Sequence, residues 1–112
     1  MMSIYLAYAE EESCTYDHIW TIEFSDLRGC GIGRRIDLID FSPNCEEFIS
    51  YMNTGQICLW SIKNKSYIRT VHTLDRKSQC PLTFLRCYNN SQNCIAFSKP
   101  NNLLMMIDFE GD

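Results

Sequence analysis

Apolar and polar residues along this chain come in short alternating or continuous runs bounded by Gly, Pro, Asn or Ser. No run keeps the 3.6-residue period of an amphipathic helix. The clearest stretch lies between Ile39 and Ser61. Ile39-Asp40-Phe41 stops at Ser42-Pro43-Asn44, Phe48-Ile49-Ser50-Tyr51-Met52 stops at Asn53-Thr54-Gly55, and Gln56-Ile57-Cys58-Leu59-Trp60 closes at Ser61. Pro presets the first turn and Gly permits the left-handed backbone of the second, so the stretch reads as an antiparallel meander. The same reading along the chain predicts strands over 4–9, 18–24, 36–41, 48–52, 56–62, 67–71, 82–87, 94–98 and 103–109. Connections this short favour sequential antiparallel pairing and an all-β fold.

The pattern also repeats. Ile19-Trp20-Thr21 and Leu59-Trp60-Ser61 are apolar-Trp-hydroxyl triplets 40 residues apart. Further on, Asn101-Asn102 answers Thr54-Gly55, and Ile107-Asp108 answers Trp60-Ser61 after 47 residues. Leu82-Thr83-Phe84-Leu85 stands where Ile39-Asp40-Phe41 would fall. A period of about 40 to 45 residues is the signature of propeller blades. On these residues the chain resembles the WD-repeat family of β-propellers, in about two and a half divergent repeats.

The resemblance implies antiparallel four-stranded blades of a partial WD-repeat-like β-propeller spanning residues 1–112. Residues 1–24 would be the back half of a blade, 36–62 a full repeat core, and 67–109 a second repeat. The family's repeat carries a hydrogen-bonded set: Gly-His before the first strand, Ser or Thr in the second, Asp in the tight turn and Trp in the third. Here the Gly-His slot has no occupant, Met52 takes the Ser place counted back from Trp60, and Thr54 takes the Asp place. Trp60 and Gly55 remain. The expectation is a blade held by apolar packing more than by a buried polar network, with Trp20 and Trp60 as core residues. Trp60 is expected to follow Leu59 in a strand opposite Ile49 and Tyr51. The outer strand the family places between Trp20 and Ile36 would have to use Leu27 to Ile32.

Propellers close with about four to eight blades, and each blade leaves an apolar face that only a neighbour can cover. The chain is therefore expected to belong to a longer protein or to be completed by other chains. The implied role is a non-catalytic protein-binding scaffold, a platform for assembling a multiprotein complex. In the family, partners dock on the loop entering the innermost strand and on the turn between the second and third strands. Carried onto this sequence, those positions are Arg34, Arg35, Asp75, Arg76 and Lys77, with Asn53, Thr54, Asn101 and Asn102. Two other readings fit the same strands: an independent small β-barrel or sandwich binding module, and an inactive truncated product of a longer propeller protein.

Composition narrows the function classes. Forty-six per cent hydrophobic content over 112 residues, with six Phe, six Tyr and two Trp, supports one globular core. Net charge is −4 and the ten basic residues are scattered, which supplies no stripe for nucleic acid. Apolar runs such as Leu103 to Ile107 are far shorter than the roughly 20 residues of a membrane span. The N-terminus runs into Glu10-Glu11-Glu12 without a basic segment, unlike a secretory signal, so a cytoplasmic location is expected. The seven cysteines include no C-x-x-C pair, and structural thiols are expected in place of a metal site.

Catalytic chemistry has little to stand on. His18 and His72 lie in no Ser-His-Asp or Cys-His order, and the Glu10–Glu12 and Glu46-Glu47 carboxylates read as solvated. Arg28-Gly29-Cys30-Gly31-Ile32-Gly33-Arg34-Arg35 has glycines for an anion nest, but not the spacing of a dinucleotide or P-loop fingerprint. It reads as an inter-blade loop. No enzyme, cofactor, metal or small-molecule substrate is expected.

Overall fold

The structure is a computed structural model that describes residues 2–10, 13–23, 35–88 and 92–109, with 5–10 and 13–17 described by their backbone alone. Strands β1 (Met2–Glu10) and β2 (Ser13–Ile22) form a hairpin. A four-stranded meander follows, made of β3 (Ile36–Phe41), β4 (Glu47–Met52), β5 (Gln56–Ser61) and β6 (Ser66–Thr73). A three-stranded meander closes the chain with β7 (Phe84–Cys87), β8 (Asn93–Ser98) and β9 (Leu103–Asp108). All pairings are antiparallel. No helix of the described residues is long and apolar enough to cross a membrane.

All nine expected strands are present, with some ends displaced. β2 starts at Ser13 instead of 18, β6 extends to Thr73, and β7 starts at Phe84 instead of 82. Leu82 looks like strand in the sequence because it is apolar, yet it is buried in the core outside the ladder.

Turn chemistry explains the meanders. Gly55 has φ +100° and Asn102 has φ +49°, each immediately before the third strand of its sheet. Glycine adopts this region freely and asparagine tolerates it better than most residues. A Cβ on Gly55 would also stand 3.1 Å from the Leu74 carbonyl oxygen.

In the middle sheet the central strands β4 and β5 are buried on both faces, which is why they read as nearly continuous apolar runs. Ile49, Tyr51, Ile57 and Leu59 pack with Val71, Leu74 and Leu82 against Leu85, Cys94, Ala96, Ile107 and Phe109 of the last sheet and its flank. On the other face Phe48, Met52, Cys58 and Trp60 pack against Ile4, Trp20 and Ile22 of the hairpin. The result is three stacked layers, and among the described residues the sheets do not close into a ring. β3 lies beside β7, where Asp40 Oδ2 accepts the Cys87 backbone N–H at 2.6 Å. Arg69 on β6 donates to the Phe109 carbonyl at 2.6 Å.

Strand β5 lies opposite Ile49 and Tyr51 as expected, and two details differ from the sequence reading. Trp60 pairs with Phe48, on the face opposite to Ile49 and Tyr51, because the register is Phe48↔Trp60 and Ser50↔Cys58. That register makes Ser50 the diagonal neighbour of Trp60, whose Nε1 donates to Ser50 Oγ at 2.9 Å. Ser50, and not Met52, is therefore the hydroxyl partner of the tryptophan. Ser50 Oγ donates in turn to Met52 Sδ at 3.3 Å, so the apolar layer contains a buried polar chain.

The second difference concerns the 40-residue spacing. Trp60 points back toward the hairpin while Trp20 points forward to meet it, with ring centroids 5.9 Å apart. Equivalent residues of successive layers would point the same way. A one-residue offset reverses the face of a strand, so Trp20 and Trp60 do not occupy the same slot. Ile107 does match Trp60, since it too faces the preceding sheet.

Candidate interaction rim

One end of the stacked sheets gathers the connecting loops. Where the chain enters β3, Asn53 N–H donates to the Arg35 carbonyl at 2.9 Å and Arg35 N–H donates to Asn53 Oδ1 at 2.6 Å. The turn before β5 and the entry to β3 are thereby locked together. Arg35, just before β3, turns its side chain onto Asp37, two residues along the chain, with Nε 2.7 Å from Oδ1. The hydrogen bond to Asp37, then its negative charge, raises the guanidinium further above its ordinary value. Thr54 donates its hydroxyl to the Gln56 side-chain oxygen.

The next link runs from Gly55, whose carbonyl accepts the Leu74 N–H at 2.8 Å, to the loop over residues 75–80. This loop closes on itself. Asp75 accepts the Lys77 N–H at 2.9 Å and the Ser78 hydroxyl at 2.8 Å, and Gln79 Oε1 accepts the Asp75 N–H at 2.6 Å. The Lys77 bond first, then Ser78, hold the Asp75 carboxyl below its ordinary value. Arg76 and Lys77 are exposed on this loop. Cys80 then offers its carbonyl to Asn101 Nδ2 at 3.1 Å, and the same amide donates to Ser98 Oγ at 2.9 Å.

Arg35, Asn53, Thr54, Asp75, Arg76, Lys77, Asn101 and Asn102 thus lie along one hydrogen-bonded rim. Arg34 and the glycine-arginine stretch before it lie outside the described residues. The sequence reading missed Asp37, Ser78, Gln79 and Cys80, which fasten the rim. Asp37 was findable from its two-residue spacing to Arg35, and Ser78 from the Asp-x-x-Ser order of a self-bonded turn. Beneath the rim Tyr51 is buried, and burial first, then its bond to Cys80, push its phenol up to about 12.

A groove of about 510 Å³ opens beside the rim, between β6 and β9, lined by Val71, His72, Gln79 and the stretch Met105 to Asp108. It needs strands from two sheets, and no sequence spacing announces it. His72 stands here, while His18 on β2 bonds Thr21 at 2.7 Å. Among the described residues no group of three or more His, Cys, Asp or Glu could hold a metal ion.

No protein-family model, curated protein or solved structure matches the chain.

Proposed function

We propose that the chain forms successive blades of a WD-repeat-type β-propeller and serves in the cytoplasm as a non-catalytic platform that binds other proteins through its rim. The observation that carries this reading is the stacking of β3–β6 on β7–β9. Two antiparallel meanders lie face to face with their first strands side by side, and this places strand-entry loops and second-to-third-strand turns on one rim.

Three local correspondences support it. Gly55 and Asn102 take positive φ at the same point of their meanders, and Trp60 and Ile107 face the same way in successive sheets. The Ser50–Trp60 bond corresponds to the hydroxyl–tryptophan half of the family's hydrogen-bonded set. Further blades would come from other chains or from additional segments of a longer protein.

The rim offers Arg35, Arg76 and Lys77 beside Asp37 and Asp75, with amides between them. Such a mixture suits a polar interface edge, where charges act on association more than on the core of the contact. The test is a double charge reversal, Arg76→Glu with Lys77→Glu, compared with wild type in quantitative binding to proteins recovered from a cytosolic extract. The expected result is unchanged circular dichroism and a salt-sensitive loss of affinity of about tenfold or less, mostly in association rate. Unchanged affinity for every partner would remove this loop from the interface, and turnover of a small molecule would overturn the non-catalytic assignment.

A further inference from the structure

Two cysteines stand directly opposite each other in the last sheet. The β7–β8 register pairs Cys87 with Cys94, and both are thiols. Next to them Tyr88 N–H donates to the Asn93 carbonyl at 3.3 Å, which makes Tyr88 and Asn93 a hydrogen-bonded pair. Bonded and non-bonded pairs alternate along an antiparallel ladder, so Cys87 and Cys94 form a non-hydrogen-bonded pair. The Cys87 N–H agrees, since it points away from β8 to Asp40 Oδ2 at 2.6 Å.

Non-hydrogen-bonded partners bring their Cα atoms to about 4.5 Å with side chains on one face, and disulfides span Cα separations of about 4.4 to 6.8 Å. Neither strand has to move far for the two sulfurs to meet. The thiols differ in access. Cys94 is fully buried, and burial first, then the nearness of Cys87, push its thiol up to about 12. Cys87 is half-buried at the end of its strand.

We propose that Cys87 and Cys94 are an oxidative modification site, a dithiol that a small-molecule disulfide converts into a cross-strand disulfide within the β7–β8 hairpin. Access sets the order of steps. Cys87 gives its proton to water and its thiolate attacks one sulfur of the reagent. The reagent's S–S bond breaks, and the released thiolate takes up a proton. Cys94 then loses its proton and attacks the Cys87 sulfur, the bond from Cys87 to the reagent breaks, and the second small thiol leaves protonated. The two cysteine sulfurs give up two electrons and the two reagent sulfurs accept them. Cys87 is the accessible thiol, so a mixed disulfide on Cys87 precedes closure. The new bond would lie beside the Asp40–Cys87 contact that joins β3 to β7, so the oxidation state bears on the joint between the two sheets.

The site is independent of the platform reading and is tested on the full chain. Wild type is incubated with oxidised glutathione, alkylated and digested with trypsin. The peptide that begins at Cys87, after Arg86, carries these two cysteines and no others. The expected product is that peptide two hydrogens lighter and without alkyl groups, preceded at early times by a glutathione adduct on Cys87. Cys94→Ser should keep the adduct. Both cysteines alkylated, a persistent adduct in wild type, or Cys87 joined to a different cysteine would overturn the proposal. The decisive reading comes from wild type, so poor folding of a variant does not obscure it.

Discussion

Trp60 donates its indole N–H to Ser50 Oγ at 2.9 Å, with both side chains fully buried. The bond crosses diagonally from β5 to β4 on the face covered by the hairpin. Phe48 stacks on the same indole at 5.6 Å, and Tyr67 meets it edge-on at 5.6 Å. A polar contact in an apolar layer makes the strand register specific. A slip of one residue would turn Ser50 to the other face and leave the indole N–H without an acceptor.

Ser50→Ala should therefore destabilise by more than its lost volume suggests. Leaving a buried donor without an acceptor costs about 1 to 3 kcal/mol. In the background Trp60→Phe the donor is absent, and Ser50→Ala should cost clearly less. Chemical denaturation of the four proteins of this cycle measures the coupling, and equal costs in both backgrounds would mean the bond contributes nothing.

Much of this fold was legible in the sequence, because the strands are short, the turns carry Pro, Gly or Asn, and the alternation is regular. What escaped depends on pairing across strands. Met52 and Ser50 share a face and a strand, and only the register Ser50↔Cys58 reveals which of them the Trp60 indole reaches. Trp20 shares a residue type and a 40-residue spacing with Trp60, and spacing carries no information on the side to which a strand turns its residues. The rim was legible at Arg35, Asn53, Asp75 and Asn101, which stand at turns. Gln79 and Cys80 escaped because their contacts are made by a side-chain amide and a backbone carbonyl.

Gly55→Ala should be more damaging than a surface glycine replacement. At φ +100° any Cβ is strained, and here it would also press on the Leu74 carbonyl at 3.1 Å. The loss should exceed the roughly 1 kcal/mol by which glycine and alanine differ in ordinary backbone. Thermal unfolding checks the magnitude. Heteronuclear spectra should show shifts at Leu74 and Arg76, the neighbours across the turn.

Asp75 gives the rim loop a pH dependence whose sign is fixed. Its carboxyl is held lower in the folded chain than in the unfolded one by the Lys77 N–H and the Ser78 hydroxyl. A depressed folded value contributes stability above the unfolded value, and that contribution is lost as pH falls through the folded value. Asp75→Asn should thus lower the melting temperature slightly and by a constant amount above about pH 5. The gap to wild type should close in more acidic buffer. A gap that widened on acidification would contradict the hydrogen bonds that define this loop.

The outer face of β9 predicts how the isolated chain behaves. Leu104 and Met106 are 65% and 74% exposed, next to the stacked pair Phe84 and Phe97 on the same sheet. Among the described residues β9 is also an edge strand, and an apolar face beside an open ladder promotes association. The isolated chain should self-associate as its concentration rises. Leu104→Glu with Met106→Lys keeps the net charge and should shift sedimentation toward the monomer. Fully burying a Leu or Met side chain is worth about 1.5 to 3 kcal/mol, so losing both should weaken association by on the order of tenfold or more. Both positions face solvent, so the melting temperature at low concentration should change little. A wild-type chain that stays monomeric at high concentration, with one sharp reversible transition, would show that this face needs no cover and would favour a small self-contained β module over stacked blades.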